Sequence, residues 1–587
     1  MFLYNLIISI KHSYMYSSKY KFQLLILYTI AIISDVITLL PLYLFGKSVD
    51  YVICKNLVYI KKIIIFMIII FFVNSILSSI ETYLSAKLNN KITYDIKTKL
   101  FNKIMSTTMS EYQKLKIGEY VSRIEGDASV ICKFIINDLS DFIIYIIDIV
   151  VSLYFILKIS LKLSLIAIMI IPINFLFMFF LGKSIDTNTR KGKKIADSYF
   201  AYLNEVLNSY KEIKCLNILQ NVMNRYSSFL NESIKNTFII KMITLIYNLV
   251  NQFIASISQW MILFYASILI IGNKLTVGSY VAFNSYLGKF VNSIYKFSDF
   301  HISMKTLKVS MERVEYINSL SYEQPVEKMD NILFKRGSII INNINFKYDD
   351  SNNYLLNNFS LKIKPNSLYG IVGLNGCGKS TLLNLICRLY EVNNGNIIID
   401  GYNINDISLN SLRNNIVYIQ QDPFIFSGSI FENLAILNHN VKIEDVKKAC
   451  ETAHIDNYIE SLPQKYLTRI GDGAMSLSGG QKQKLAIARA IISNRKIFLF
   501  DEITSGLDGE SEEYILNTLN LLSKNKTIIV IAHRLTTLLQ VHNIFVMSNG
   551  KLVGNGSHYE LIQYCDEYKK LYGEHWNKYI NRNVVLK

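Results

Sequence analysis

Paired cysteines, proline-rich linkers and a cleavable leader are absent from this chain of 587 residues. Its 7 cysteines (Cys54, Cys132, Cys215, Cys377, Cys387, Cys450, Cys565) are odd in number and include no C-x-x-C pair. That excludes a disulfide framework and a zinc pattern, and fits a reducing, cytosol-facing C-terminal half. Only 6 prolines occur, and no low-complexity linker or internal repeat interrupts the chain. The stretch Met1 to Ile10 is apolar, but Lys11 ends it before any A-x-A-like site, so no signal peptide is expected. Acidic residues are in the minority: 45 Asp and Glu against 62 Lys and Arg leave a formal charge of +17. Such a surplus can serve nucleic acid. Here it is Lys spread over loops between apolar runs, which is the pattern of membrane topology, and no nucleic-acid partner is expected. Heavy use of Ile, Asn, Lys and Tyr reads as base composition and carries no function.

Apolar residues make up 51% of the chain and aromatics 12%, and the apolar share is concentrated in the first half. Six segments approach the roughly 20 residues needed to cross a bilayer. They lie near Phe22–Phe45, Ile63–Tyr83, Phe134–Leu157, Leu163–Leu181, Leu245–Ile271 and Val277–Tyr295, the last being least apolar because of Asn284 and Lys289. A single such run reads as a buried core helix; six in succession do not. The connections alternate in length. Lys158 to Lys162 and Gly272 to Lys274 barely turn the chain, whereas Ser85–Lys133 and Lys183–Met242 are long and carry the clusters Lys91/Lys97/Lys99/Lys103 and Arg190/Lys191/Lys193/Lys194. The positive-inside bias puts these long loops and both termini in the cytosol, with Lys61 and Lys62 as local exceptions on the outer side. Folded as helical hairpins, each long loop reaches roughly 35–40 Å beyond the membrane at 1.5 Å per residue. Turns near Thr107–Tyr112 and Asn208–Lys214 would then touch a separate cytosolic domain; solvated linkers are the alternative.

Between Ser303 and Lys335 the chain turns mixed and polar, and this marks the domain boundary. Beyond it, β-type runs alternate with helical stretches, the pattern of an α/β domain. Leu368–Val372 is an apolar strand that enters Gly373-x4-Gly378-Lys379-Ser380 and then a helix from Thr381. Glycines at these positions let backbone N–H groups surround phosphate oxygens, and the helix N-terminus adds partial positive charge. Lys379 would bridge the β- and γ-phosphates and Ser380 would ligate Mg²⁺. A second apolar strand ends in Asp501-Glu502. Asp501 suits Mg²⁺ coordination, and Glu502 can orient and deprotonate a water for in-line attack. His533 follows a third strand and could donate to the γ-phosphate, although a lone histidine at a strand end is as often structural.

On these residues, 336–575 resembles the nucleotide-binding domain of ATP-binding cassette (ABC) transporters. The motifs stand in the family's order: Walker A (Gly373, Asn375, Gly376, Cys377, Gly378, Lys379, Ser380, then Thr381), a glutamine loop at Gln421, the signature at Leu477–Gln481, Walker B ending at Asp501-Glu502, a D-loop at Ser505–Asp508 and the switch His533. The resemblance implies ATP and Mg²⁺ as cofactors, with Ser380, Gln421 and Asp501 on the metal and Glu502, His533 and Gln421 in catalysis. It also implies that Tyr348 stacks on adenine, and that Ser478, Gly479, Gly480 and Gln481, with Asp508, complete the site of an opposing subunit. Ile503 and Gly506 stand where Ala is usual, and Cys377 where Ser is frequent. Cys377, at a helix N-terminus beside Lys379, meets conditions that lower a thiol pKa, so alkylation is expected to block ATPase activity. Gly471-Asp-Gly473 resembles the exporter loop ahead of the signature, and Gly118-x4-Arg123-x3-Asp127 a pattern beyond the first coupling loop.

Six spans within 1–325, fused ahead of the cassette, resemble a half-size exporter. The expected fold is multidomain: an all-α transmembrane domain with long intracellular helical loops, then an α/β P-loop cassette. The resemblance implies a homodimer, or pairing with a homologous half-transporter, in the lipid bilayer of a bacterial inner membrane, with the cassette cytoplasmic. Asp35 in the first span, and Asp141 and Asp148 seven apart in the third, hint at a cationic or amphipathic peptide or drug as cargo; helix packing explains them equally. A lipid flippase, an exporter-shaped siderophore importer and a nucleotide-gated channel remain open alternatives, whereas the spans contradict a soluble repair or translation ATPase.

Overall fold

The computed structural model describes residues 16–573 and 576, apart from 116, 166, 168–186, 189–190, 193–194, 196–197, 200–201, 204, 324–331, 350, 439, 472–474, 504–508 and 533. Two compact units emerge: Met1–Asn102 with Ile117–Ser319, and Lys103–Lys116 with Leu320–Lys587. The second unit therefore includes a short stretch that the sequence reading assigned to the membrane domain.

Among the described residues, the helices of the N-terminal half include α1 (Lys21–Ile53), α2 (Leu57–Met105), a single turn α3 (Met109–Tyr112), α4 (Leu139–Ile159), which continues the helical stretch from Ile117, α5 (Tyr210–Cys215), α6 (Leu219–Ile271) and α7 (Val277–Ser319). Among the described residues, three helices are long and apolar enough to cross a membrane: Ser18–Ile53, Leu57–Met105 and Ile117–Ile159. They contain the first three expected spans. Most of the fourth lies outside the described residues, and the fifth and sixth fall in α6 and α7, where Ser256–Ile271 is a shorter apolar stretch. On α2, Ile64, Phe66, Phe71 and Phe72 are exposed, an arrangement that only a hydrocarbon surrounding makes favourable.

Small residues let α1 and α7 touch backbone to backbone. A Cβ on Gly46 would lie 2.5 Å from the Gly278 carbonyl oxygen and 2.7 Å from the Ala282 Cβ. Asp50 then crosses from α1 to satisfy the start of α7, accepting from Gly278 N at 2.7 Å and Thr276 Oγ1 at 2.8 Å. On the other side α7 meets α4, with the Phe155 and Tyr286 rings stacked at 4.7 Å and Phe142 on Phe300 at 4.2 Å. The Arg123 and Asp127 pattern turns out to be a fastening. Arg123 Nη1 donates to Arg313 O at 3.2 Å, and Asp127 accepts from Ser310 Oγ at 2.9 Å and pairs with Arg313 Nε at 3.1 Å.

In the second unit β1 (Ile339–Phe346), β2 (Leu356–Ile363), β3 (Leu368–Gly373), helix α8 (Lys379–Ile386), β4 (Asn394–Ile399), β5 (Tyr402–Asn403), β6 (Ile416–Ile419), β7 (Gly428–Ser429), β8 (Arg469–Ile470), α9 (Gly479–Ile492), β9 (Ile497–Asp501), α10 (Gly509–Ser523), β10 (Thr527–Ile531), β11 (Asn543–Ser548) and β12 (Lys551–Gly556) follow in order. One sheet is antiparallel, ordered β2-β1-β4-β5, and the main sheet runs β12-β11-β3-β10-β9-β6. The five strands from β11 to β6 are parallel and β12 is an antiparallel edge. Parallel strands covered on both faces need continuous apolar sequence rather than alternation. β10 shows why: Ile529 and Ile531 face the core shared with α8 and the antiparallel sheet, while Ile528 and Val530 face the core built with α9.

Two fastenings hold this unit's leading edge. Asp400 accepts from the backbone N–H of Arg336, Gly337 and Ser338 at 2.9, 2.9 and 2.7 Å. The stretch around α3 pairs with the segment before β1: Thr108 N donates to Ser321 O at 3.1 Å and Glu323 N to Ser106 O at 2.8 Å. Arg413 then grips Glu323 with two bonds of 2.8 and 2.7 Å.

Candidate nucleotide site

The carboxyl ends of β3, β10, β9 and β6 lie side by side, the edge at which open α/β sheets bind ligands. β3 delivers Gly373 into a loop that closes on α8. A Cβ at Gly373 would lie 2.3 Å from Met547 O and 2.7 Å from Cys377 Sγ, so no larger residue fits. Gly378 has φ +101°, in the left-handed region, and caps the start of α8. Lys379 is buried and folded over its own loop, donating to Gly373 O at 2.8 Å and Leu374 O at 3.0 Å. Asn375, Gly376 and Ser380 are exposed at the loop surface. The Thr381 hydroxyl shares a 2.9 Å hydrogen bond with the Tyr348 hydroxyl.

Tyr348 sits among aromatics, edge-on to Phe346 at 5.0 Å and to Tyr390 at 5.2 Å. A cavity of about 660 Å³ opens beside them, lined by Tyr348, Arg388, Tyr390 and Glu391 and, from α3 and the residue after it, Glu111 and Gln113. Gln113 hydrogen-bonds the Tyr390 side chain, whose phenol is pushed up chiefly by burial. The first expected coupling turn, near Thr107–Tyr112, thus lies within the same unit as the site, next to its aromatic wall. The second, near Asn208–Lys214, forms α5 in the first unit, with Leu207, Tyr210 and Leu216 exposed around it.

At the far side β9 ends in Asp501, followed by Glu502 at φ +52°. A left-handed conformation is uncommon for a glutamate and turns its side chain back over the strand end. There Gln421 Nε2 donates to Glu502 Oε2 at 2.8 Å. Tyr418 on β6 donates to Asp501 Oδ2 at 3.4 Å, and burial with the Asp501 charge pushes that phenol up. The Ser380 hydroxyl, Gln421 amide and Asp501 carboxylate are hard oxygen donors, a set that suits Mg²⁺, which keeps several waters and demands few protein ligands.

The signature opens α9. Ser478 Oγ accepts from Gln481 N at 3.3 Å and Gln481 Oε1 accepts from Ser478 N at 2.9 Å, a reciprocal cap that satisfies two otherwise free N–H groups. Ser478 and Gly479 are exposed, with Gly480 and Gln481 half-buried. Asp508, His533 and Gly473 lie outside the described residues. What surrounds His533 in sequence is anchored: Arg534 Nη1 meets Glu512 Oε2 at 2.6 Å, and Thr536 and Thr537 donate to Glu512 Oε1 at 2.8 and 2.9 Å. Glu512, Tyr390 and Tyr418 were not singled out from the sequence. No motif spacing marks them: Tyr390 and Tyr418 reach the site only through the chain's return to Tyr348 and Asp501, and Glu512 only holds the residues that follow His533.

Cys377 corrects one expectation. Its thiol is buried, and burial pushes its pKa up more strongly than Lys379 beside it pulls it down. A reactive, activated thiol is therefore not what this loop holds.

Comparison with known proteins agrees with the geometry. The description "ABC transporter transmembrane region" matches residues 24–294 and "ABC transporter" matches 356–505. A Bacillus subtilis protein provisionally named a multidrug export ATP-binding/permease protein is 31% identical over 82% of this chain and 83% of its own length. A similarly named Staphylococcus aureus protein is 31% identical over 84% of this chain and 86% of its own. In fold, a bacterial Atm1-family ABC exporter with ATP bound matches at a TM-score of 0.81 with 23% identity, covering 94% of this chain and 98% of the other.

Proposed function

The chain belongs to the ABC transporters, a transmembrane domain and an ATP-hydrolysing cassette in one polypeptide, and from that premise we propose that two copies form a pump exporting cationic amphipathic molecules, drugs or peptides, from the cytoplasm. The observation that carries the dimer is the exposed, pre-capped signature at Ser478 and Gly479 in a chain that also keeps Lys379, Asp501 and Glu502. A helix N-terminus left open to solvent is an anion site waiting for phosphate, and a second copy's nucleotide supplies it. The cargo class follows from the names of the relatives and from Asp141 inside the third expected span. Domains 1–325 and 336–575 take the two roles. The lysine-rich long loops favour cytoplasmic termini and cassette, and the bacterial relatives favour a bacterial cell (inner) membrane.

In the proposed cycle Lys379 leaves the Gly373 and Leu374 carbonyls for the β- and γ-phosphates, and Tyr348 leaves Thr381 to stack on adenine. Ser380, Gln421 and Asp501 would hold Mg²⁺, which neutralises charge on the phosphate oxygens. Glu502, steadied by Gln421, orients the attacking water and accepts its proton, while His533 donates to the γ-phosphate. Ser478, Gly479, Gly480, Gln481 and Asp508 close on the opposing subunit's ATP. Closure moves α3 and α5 and turns the cavity outward.

Purified chain in nanodiscs, assayed for ATPase activity against basic peptides, cationic drugs and lipids, tests the cargo. Stimulation by peptides or drugs supports the reading. Stimulation by lipids alone replaces it with a flippase, and none by any class removes it.

A further inference from the structure

In the first third of α7, Lys289 reaches two carboxylates at once: Asp35 Oδ1 of α1 at 3.0 Å and Asp148 Oδ2 of α4 at 3.2 Å. Ser293, one turn on, donates to Asp148 Oδ2 at 2.9 Å. One ammonium thus faces two carboxylates, and the group is short of one positive charge. The two remaining oxygens, Asp35 Oδ2 and Asp148 Oδ1, are buried and take no hydrogen bond among the described residues. Because both carboxyl groups lean on the same Nζ, at 3.0 and 3.2 Å, they are near neighbours across the α1–α4 seam.

A separate observation comes from Ser152, whose fully buried Oγ likewise has no partner among the described residues. α4 and α7 run antiparallel, with Asp148 against Ser293 and Phe155 stacked on Tyr286. Ser152 lies between those two levels, on the Asp148 face of α4, and therefore beside Lys289. Three buried polar atoms without a partner among the described residues thus fall within about one helical turn of Lys289.

We propose that Asp35 and Asp148 share a single bound proton in this conformation, so that the site built from α1, α4 and α7 is a proton-binding site of the membrane domain. Two buried carboxylates held on one ammonium repel each other unless a proton lowers their combined charge. Asp148 is only 3% exposed and its free oxygen is covered, which leaves a hydrated cation no open path among the described residues. With the proton in place, Lys289 balances the remaining carboxylate and the cluster is neutral, the condition under which burial in a membrane is tolerated. Among the described residues the surrounding charges add no second cation beside the pair. Glu81 of α2 lies near Asp35 and Asp141, and Lys296 of α7, with Lys133, is placed against Asp141, which also feels Asp138. Any movement that draws α7 from α1 and α4 exposes the pair and releases the proton to water, so the site links access change to proton binding. It stands apart from the choice of cargo.

Infrared spectroscopy of the full-length protein in nanodiscs at pH 7 tests this through the carboxylic-acid carbonyl absorption. Wild type minus Asp148→Asn, and wild type minus Asp35→Asn, should each show the loss of one protonated carboxyl per chain. The carboxamide replaces the protonated partner in shape and hydrogen bonding, so folding is retained. Lys289→Met should gain one protonated carboxyl, because the second charge loses its counter-ion. Spectra unchanged by both Asp substitutions mean that the pair is fully ionised and overturn the proposal. So does a Lys289→Met protein that stays folded and gains nothing.

Discussion

Glu502 is held in readiness by a left-handed backbone and by the Gln421 amide at 2.8 Å. In the proposed cycle its carboxylate accepts the proton of the attacking water, and an amide would remove that acceptor while keeping the shape. Glu502→Gln should therefore bind ATP with near wild-type affinity and hydrolyse it ~10²-fold more slowly or worse, as measured by nucleotide binding and phosphate release. Tyr390 supports Tyr348 edge-on, a contact worth about 0.5–1.5 kcal/mol, so Tyr390→Ala should raise the KM for ATP roughly 2–10-fold with little change in kcat. A KM unchanged within error would separate Tyr390 from the nucleotide. Cys377 carries a prediction opposite in sign to the one its sequence neighbours suggest. Its buried thiol should react with maleimide more slowly than the exposed Cys54 and Cys215 at pH 7, by peptide mass mapping. The sequence makes the charge of Lys379 and the helix start visible, but not the burial that outweighs them.

Elements were legible where their pattern is local. The strand, glycine loop and helix of 368–386 could be read because each is set by neighbours in sequence. Contacts made over long separations could not. Lys289 marks the sixth span as the least apolar in sequence, and Asp35 and Asp148 read as separate carboxylates; only packing of α1, α4 and α7 unites them. Gly46 and Gly278 were likewise silent until the helices crossed. Gly46→Val should push α1 from α7, costing about 1–3 kcal/mol and lowering the thermal midpoint of the full chain. Asp400 sets a pH dependence. Burial works to raise its carboxyl, but the Gly337, Arg336 and Ser338 N–H groups outweigh it and hold the pKa below the ordinary range. A depressed folded-state pKa means stabilisation that is complete above the unfolded value near ~3.9 and lost as pH falls through the folded one. Asp400→Asn should cost about 1–2 kcal/mol at pH 7, less than a fully buried charge-assisted bond because the side chain is half-buried. The gap between variant and wild type should close as the pH is taken below 4 in thermal unfolding.

At the scale of the whole molecule, the sequence placed the membrane half before residue 325 and the cassette after 336, and both fold classes stand. Less legible was that Lys103–Lys116 groups with the cassette, because its ties to Ser321, Tyr322 and Glu323 cross more than two hundred residues of sequence. Arg413 fixes Glu323 in that strap, so Arg413→Ala should leave basal ATPase largely intact while reducing its stimulation by cargo. Equal loss of both would assign the pair to stability alone. The central claim is that one gene product completes its own nucleotide sites by pairing. The most direct test is a cysteine cross-link in an otherwise cysteine-free Glu502→Gln background, with Asn375→Cys in the phosphate loop and Gln481→Cys at the signature helix. The account predicts an oxidised species of twice the chain's mass that forms with MgATP and not without it. A chain that stays monomeric on oxidation with MgATP, or cross-links only within itself, would contradict it.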